Sequence, residues 1–214
     1  RIVPIMEAFM EGSEFACSAE AIDENNTKII MKGLAAHASE PEHGKNAMLA
    51  MLALLDKLPL EGEDAHTVNA LTNALKFDCH GESIGIDSTD DSGRLTTNVG
   101  VIEWDETGIK RLTMDIRAPI TANGELITEK LRDAFGRANM IETHHGRSDG
   151  YYASPDSELV SKLLGVSNER FTVDAKPMAI GGGPYARPLT LAVAFGPERE
   201  AEHARLNMEH EHIR

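Results

Sequence analysis

The chain is poor in cysteine and in positive charge, and it has no long apolar run. Cysteine occurs twice in 214 residues, at Cys17 and Cys79. Neither sits in a C-x-x-C pair, which excludes a disulfide-rich scaffold and a redox dithiol. Two free thiols in a reducing compartment, the cytoplasm, are expected. Lys and Arg number 21 against 35 Asp and Glu, a net charge of −14. A general nucleic-acid binder needs a basic face, so that class of partner is excluded. No apolar stretch reaches the ~18 residues needed to span a bilayer, so no membrane partner is expected. There is no initiator Met and no charged-then-apolar leader. Arg1-Ile2-Val3-Pro4 reads as the interior of a longer protein. Internal repeats and low-complexity stretches are also missing.

What remains is an ordinary globular composition, 41% hydrophobic and 26% charged. Residues 5–10 read as the end of an amphipathic helix stopped by Gly12. Residues 14–22 and 27–34 read as a hairpin around Asp23-Glu24-Asn25-Asn26. A Pro41/Gly44 loop leads into Asn46–Lys57, rich in Ala, Leu and Met, which predicts a largely buried helix ended by Pro59. Ala65–Phe77 predicts a second helix with Val68, Leu71, Ala74 and Leu75 on one face. The period then falls to near two, predicting strands at 84–87, 95–104 and 109–117. A helix over Ala122–Ala138 and a strand over Met140–His145 follow. The order implies an α+β domain with helices on one side of an antiparallel sheet.

Beyond about residue 150 the texture changes. A helix is predicted over Asp156–Val166, short strands over 176–180 and 191–195, and a glycine loop at Gly181-Gly182-Gly183. Short apolar strands alternating with helices read as an α/β layer. About 64 residues is thin for a free-standing domain of that kind, so this segment is expected to belong to a larger sheet.

Nine histidines raise the question of metal binding. His37 stands between a strand and a loop, flanked by small residues, where an imidazole can project into a cleft. His144 and His145 would face opposite sides of a strand and could not share one metal. His43, His66 and His80 lie in ordinary polar contexts. The tail holds His203, His210 and His212 among glutamates, and imidazole and carboxylate both suit zinc. The glycine loop lacks the lysine of a P-loop and the helix of a dinucleotide fold, so nucleotide binding is rejected. Its other use is to bring backbone and Arg187 close to a ligand. Arg117 ends a strand, shares a face with Asp115, and suits paired hydrogen bonds to a carboxylate or an ion pair with Asp115.

Three runs together resemble one family. The first is Gly33-x-x-Ala36-His37-Ala38-Ser39-x-Pro41-x-x-Gly44-x-Asn46-Ala47. The second is Leu95-Thr96-Thr97-Asn98-Val99-Gly100 leading to Asp115-Ile116-Arg117-Ala118-Pro119. The third is Gly181-Gly182-Gly183-Pro184-Tyr185-Ala186-Arg187, then Val193-Ala194-Phe195-Gly196-Pro197 and a histidine. In order and spacing they are similar to the PepV-type zinc dipeptidases, of the metallopeptidase clan that includes carnosinase, aminoacylase and carboxypeptidase G.

That resemblance implies a catalytic α/β domain carrying two zinc ions, with Mn or Co as substitutes, interrupted by an α+β lid. It implies hydrolysis of a dipeptide by a metal-activated water. His37 would donate to the oxyanion as the catalytic lid histidine. Arg117 would bind the substrate's terminal carboxylate, with Asn98, Arg187 and Gly182 lining the pocket. His203 would be a zinc ligand, with His210 as the alternative. The sequence departs from the family pattern at Arg1, at Pro184 and in the spacing of the tail, and the family's H-x-D motif and Glu-Glu pair are not in this chain. The expected organisation is therefore a lid over residues 1–148 and the C-terminal part of a catalytic domain over 149–214. A fragment lacking the N-terminal catalytic half would be inactive alone. The other reading is a non-catalytic module that binds a small carboxylate or dimerises through its sheet edge. The oligomeric state is left open.

Overall fold

Local signals account for most of the elements in the computed structural model, which describes residues 2–148, 150–171, 174–180, 186, 188–189 and 192–195. Helix α1 (Ile2–Glu11) ends just before Gly12 and buries Met6. Strands β1 (Ala16–Ala21) and β2 (Thr27–Lys32) pair antiparallel, from Ala16 opposite Lys32 to Ala21 opposite Thr27. Their turn is closed by Asp23, whose Oδ1 accepts from the backbone N–H of Asn25 at 2.8 Å and of Asn26 at 2.9 Å. Asp and Asn commonly mimic a backbone turn in this way.

A single 3₁₀ turn (Pro41–His43) precedes helix α2 (Ala47–Leu55). This helix is apolar all round, and Ala50, Leu52 and Leu54 are buried. Its cap is Asn46, whose Oδ1 accepts from the N–H groups of Met48 at 3.0 Å and Leu49 at 3.4 Å. Helix α3 (Gly62–Leu75) buries Val68, Leu71 and Leu75. A two-residue hairpin, β3 (Thr89–Asp90) and β4 (Gly93–Arg94), leads to the long hairpin β5 (Thr96–Asp105) and β6 (Gly108–Arg117). Helix α4 (Gly124–Gly136) is capped by Asn123, and α5 (Glu158–Phe171) follows.

The core lies between the long hairpin and the helices. Leu52, Leu71, Leu75, Val99 and Ala138 are buried together, with Ile102, Trp104, Leu112, Met114, Phe135 and Met140 packed against them. Strict alternation from Val99 would turn Val101 and Glu103 inward. The register instead shifts between Val99 and Val101, so that one extra residue, Gly100, is inserted opposite β6. That bulge reverses the alternation and points Ile102 and Trp104 at the core. Glu103 is left on the outer face, where it accepts from Arg111 at 2.6 Å. The hairpin thus has one apolar face under the helices and one polar face, as expected for an antiparallel layer covered on one side.

Several expected strands are not found. In place of a strand at 84–87, residues 81–86 form a tight turn, because Gly81 and Gly85 take left-handed φ values of 75° and 79° and the N–H groups of Gly85 and Ile86 both donate to the Gly81 carbonyl at 2.9 Å. Residues 140–145 are irregular. Ile141 is 84% exposed, so alternation there has no face to bury, and Glu142 is drawn instead to Arg132 and His145, each at 2.6 Å. Residues 176–180 and 192–195 form no strand, and no described segment pairs with them. The α/β layer expected after residue 150 is therefore not formed among the described residues. Among the described residues the α+β part of the expected fold is present. No described helix is long and apolar enough to cross a membrane.

The exit from β6 is held by Asp90. Its Oδ1 accepts from the N–H and hydroxyl of Ser92, and its Oδ2 from the N–H of Thr121 at 2.9 Å and the Thr121 hydroxyl at 2.8 Å. These donors, the Ser92 hydroxyl first, favour the ionised form and hold the carboxyl far below the usual carboxylate range.

Two outcomes are expected. Asn46 also joins the helix to the sheet, because its Nδ2 donates to the Val99 carbonyl at 2.9 Å. Asn46→Ala should lower unfolding free energy by about 2 kcal/mol, roughly half from the cap and half from the sheet bond. Asn46→Asp keeps the cap and should lose only the second part; equal losses in urea unfolding would contradict this division. Because the folded pKa of Asp90 is depressed, its contribution is full above about pH 4, the unfolded value, and is lost as pH falls further. The stability gap between wild type and Asp90→Asn should therefore narrow from pH 7 to about pH 3, and a constant gap in denaturant titrations would refute the assignment.

Candidate functional site

Residues 34–45 form a closed loop at the end of β2. Leu34 and Lys45 exchange both backbone hydrogen bonds, at 3.0 and 2.8 Å. The closure requires two residues without a side chain. A Cβ at Gly33 would lie 2.2 Å from the Lys45 carbonyl oxygen. One at Gly44 would lie 2.8 Å from the Ala36 Cβ and 2.9 Å from the Leu34 oxygen. Inside the loop, the N–H of Glu40 donates to the His37 carbonyl at 2.9 Å and that of Gly44 to Pro41 at 3.1 Å. From outside, the buried Thr96 at the start of β5 donates its hydroxyl to the Ala38 carbonyl at 3.2 Å. The loop is thus fastened to its own base and to the long hairpin.

His37 is half-buried on this loop. Its Nδ1 lies 2.7 Å from the Ser39 hydroxyl and accepts from the Ser39 backbone N–H at 3.3 Å. A backbone N–H can only donate, so Nδ1 is the acceptor and the neutral ring carries its proton on Nε2. No described residue takes the Nε2–H. A rigid loop presenting an imidazole N–H is suited to donate to an anionic oxygen.

The register of the long hairpin brings two other expected residues to this neighbourhood. Thr96 is opposite Arg117 and Asn98 is opposite Asp115, and all four share the face of the hairpin away from the core. The Arg117 side chain is 25% exposed, and its Nε donates to Asp115 Oδ1 at 2.9 Å. The ion pair noted from sequence is therefore present. A guanidinium carries five N–H donors in a planar fork whose geometry matches a carboxylate. The Asn98 Oδ1 accepts from the Asn46 Nδ2 at 3.3 Å. His37, Asn98 and Arg117 thus come from three places in the sequence to one end of one sheet. Arg187, Gly182, His203 and His210 lie outside the described residues.

Sequence alone gives no role to Thr96 or Asn46, although both lie inside the family-like runs. Thr96 is buried under the closed loop although it lies on the polar face of its strand, which pattern alone does not reveal. By sequence Cys79 is an ordinary thiol and His80 a histidine in a polar context. In the fold they lie against Glu42, and a ligand atom from each lies within 4.8 Å of the other two. Burial, together with the negative charges of Glu42 and Asp78, pushes the Cys79 thiol above its usual range. Three donors are too few for two metal ions, so the described residues do not supply the di-zinc centre that the resemblance implies.

Comparison with known proteins identifies the family of this domain. Residues 26–139, which hold the closed loop and the long hairpin, match the family model described as "Peptidase dimerisation domain". Among curated proteins, the chain is 36% identical over 181 residues to "Putative dipeptidase YtjP" of Bacillus subtilis (strain 168), covering 83% of this chain and 38% of that protein. It is 28% identical over 195 residues to "Beta-Ala-Xaa dipeptidase" of Lactobacillus delbrueckii subsp. lactis, covering 91% of this chain and 41% of that protein. It is 30% identical over 190 residues to a putative dipeptidase of Staphylococcus saprophyticus, covering 86% of this chain and 40% of that protein. The chain spans about two fifths of the length of these relatives.

Proposed function

The chain belongs to the peptidase dimerisation domain family, and from that premise we propose that it forms the lid-bearing part of a zinc-dependent dipeptidase. In this reading residues 1–148 are the lid and residues 149–214 belong to the catalytic domain. The names of the curated relatives support the activity, and the end of the matched family region at residue 139 supports the division. Large apolar side chains exposed after residue 150, among them Tyr152, Val166, Met178, Ile180 and Phe195, support packing of the second segment on further structure.

The observation that carries the proposal is the state of His37. Its Nδ1 is engaged by Ser39, its loop is fastened at both ends, and its Nε2–H is left to donate. In peptide hydrolysis negative charge develops on the former carbonyl oxygen. A pre-oriented donor meets that charge without reorganising, which is the largest single source of stabilisation in many hydrolases. Arg117, at the strand end beside the same loop, receives the substrate's terminal carboxylate. Asn98 adds a polar contact on the same face, with Arg187 and Gly182 as further lining residues. Zinc enters the reading through His203, proposed as one ligand; the remaining ligands are expected from elsewhere in the protein. This chain alone would accordingly be inactive.

A second reading is favoured by the name of the matched family. The domain would then serve chiefly for self-association, with His37 and Arg117 binding a small carboxylate. Self-association in sedimentation runs, with no dipeptidase activity in the full-length protein, would favour it.

In the full-length protein His37→Ala is expected to lower kcat by ~10²–10³, the scale of one oxyanion donor. Arg117→Ala is expected mainly to raise KM, by roughly 10- to 100-fold for a lost charge-assisted bond. Steady-state kinetics on a panel of dipeptides checks both. An unchanged kcat in His37→Ala would remove its role.

A further inference from the structure

The loop that carries His37 also carries Glu42, which faces a turn of quite different origin. That turn, residues 78–80, follows α3 and is braced from several sides. The Cys79 carbonyl accepts from the N–H of Thr97 at 2.8 Å. The carboxylate of Asp78 accepts from the N–H groups of His80 at 2.8 Å and Ser83 at 2.6 Å. The His80 Nδ1 lies 2.9 Å from the Leu95 carbonyl oxygen. A carbonyl can only accept, so Nδ1 holds the ring proton and Nε2 keeps its lone pair. A histidine fixed in this way, one nitrogen donating to a backbone carbonyl and the other open, is the arrangement that supports metal ligation.

Three kinds of donor then converge: a carboxylate oxygen from Glu42, the sulfur of Cys79 and an imidazole nitrogen from His80, all mutually within 4.8 Å. Ligands of a tetrahedral zinc lie about 3.5 Å apart, given bonds of about 2.0–2.3 Å. Closing the remaining ångström is within reach of Glu42, an exposed side chain on the short 3₁₀ turn. Glu42 and Asp78 both bring negative charge to the thiol, and Arg94 opposes them only weakly. A cation is the charge this cluster lacks. Thiolate and imidazole together select a borderline-soft ion over Mg²⁺ or Ca²⁺.

We propose that Glu42, Cys79 and His80 bind one Zn²⁺ ion, with water in the fourth position. On binding, the Cys79 S–H bond breaks, its proton passes to solvent, and the sulfur forms the bond to zinc; no oxidation or reduction is involved. The ion joins the loop of His37 to the turn after α3, bridging Glu42 and Cys79, which lie 37 residues apart in the chain. The site holds independently of whether the protein hydrolyses dipeptides.

Titration of the purified, metal-free protein with Co²⁺ tests this, because a cobalt–thiolate bond gives an intense near-ultraviolet charge-transfer band that histidines of the tail cannot produce. The expected result is a thiolate band whose intensity corresponds to one cobalt–thiolate bond per chain, whatever further Co²⁺ the histidines and carboxylates elsewhere take up, and which Zn²⁺ displaces. It should be kept in Cys17→Ser and lost in Cys79→Ser. Glu42→Gln and His80→Asn should weaken binding by at least about tenfold, since even an outer-shell partner costs that much. Asn at position 80 can retain the donor to Leu95, so these two variants remain informative if Cys79→Ser does not fold by circular dichroism. Absence of a thiolate band in the wild type, its survival in folded Cys79→Ser, or unchanged affinity in both Glu42→Gln and His80→Asn would overturn the site.

Discussion

The pair of backbone hydrogen bonds between Leu34 and Lys45 is the constraint on which the functional end of this domain depends. It converts a connection between a strand and a helix into a closed loop. Closure brings Gly33 and Gly44 so near to facing backbone and side-chain atoms that no Cβ fits at either position. The same closure sets Asn46 at the start of α2, where one side chain caps the helix and reaches across to β5. Thr96 then ties the loop back to the strand that lies opposite Arg117. An imidazole placed on such a loop loses little further entropy when it engages a ligand, because its support is already ordered.

Much of this was legible in the amino-acid sequence, for identifiable reasons. Helix α2 announces itself by an apolar run behind an asparagine cap, and the first hairpin by Asp23 and Asn26 between alternating segments. The long hairpin was readable as two strands, yet its bulge at Gly100 was not, since a single glycine in a strand has several uses. The strands expected at 84–87 and 140–145 failed where local pattern had no partner. Glycine geometry turned the first into a tight turn, and Glu142 found Arg132 and His145 in the second. The elements expected at 176–180 and 191–195 need neighbouring strands that the described residues do not contain.

The candidate site divides in the same way. His37 and Arg117 stood out because their residue types at an element boundary suit an oxyanion and a carboxylate. Their adjacency came from register, Thr96 opposite Arg117, which sequence spacing does not state. The cluster of Glu42, Cys79 and His80 was hidden more completely. Each member looked ordinary by itself, and only the long-range packing of the 3₁₀ turn against the residues after α3 brings carboxylate, thiol and imidazole together. Residues that carry chemistry on separate elements become visible only once the fold sets their distances.

The central claim is that the closed loop holds His37 with Nδ1 as acceptor and the proton on Nε2, ready to donate. Nitrogen-15 NMR of the imidazole side chains at neutral pH reads the tautomer directly. The expected result is a His37 ring protonated at Nε2 and unprotonated at Nδ1. A ring protonated at Nδ1, with Nε2 bare, would contradict the donor role and the loop geometry from which it follows.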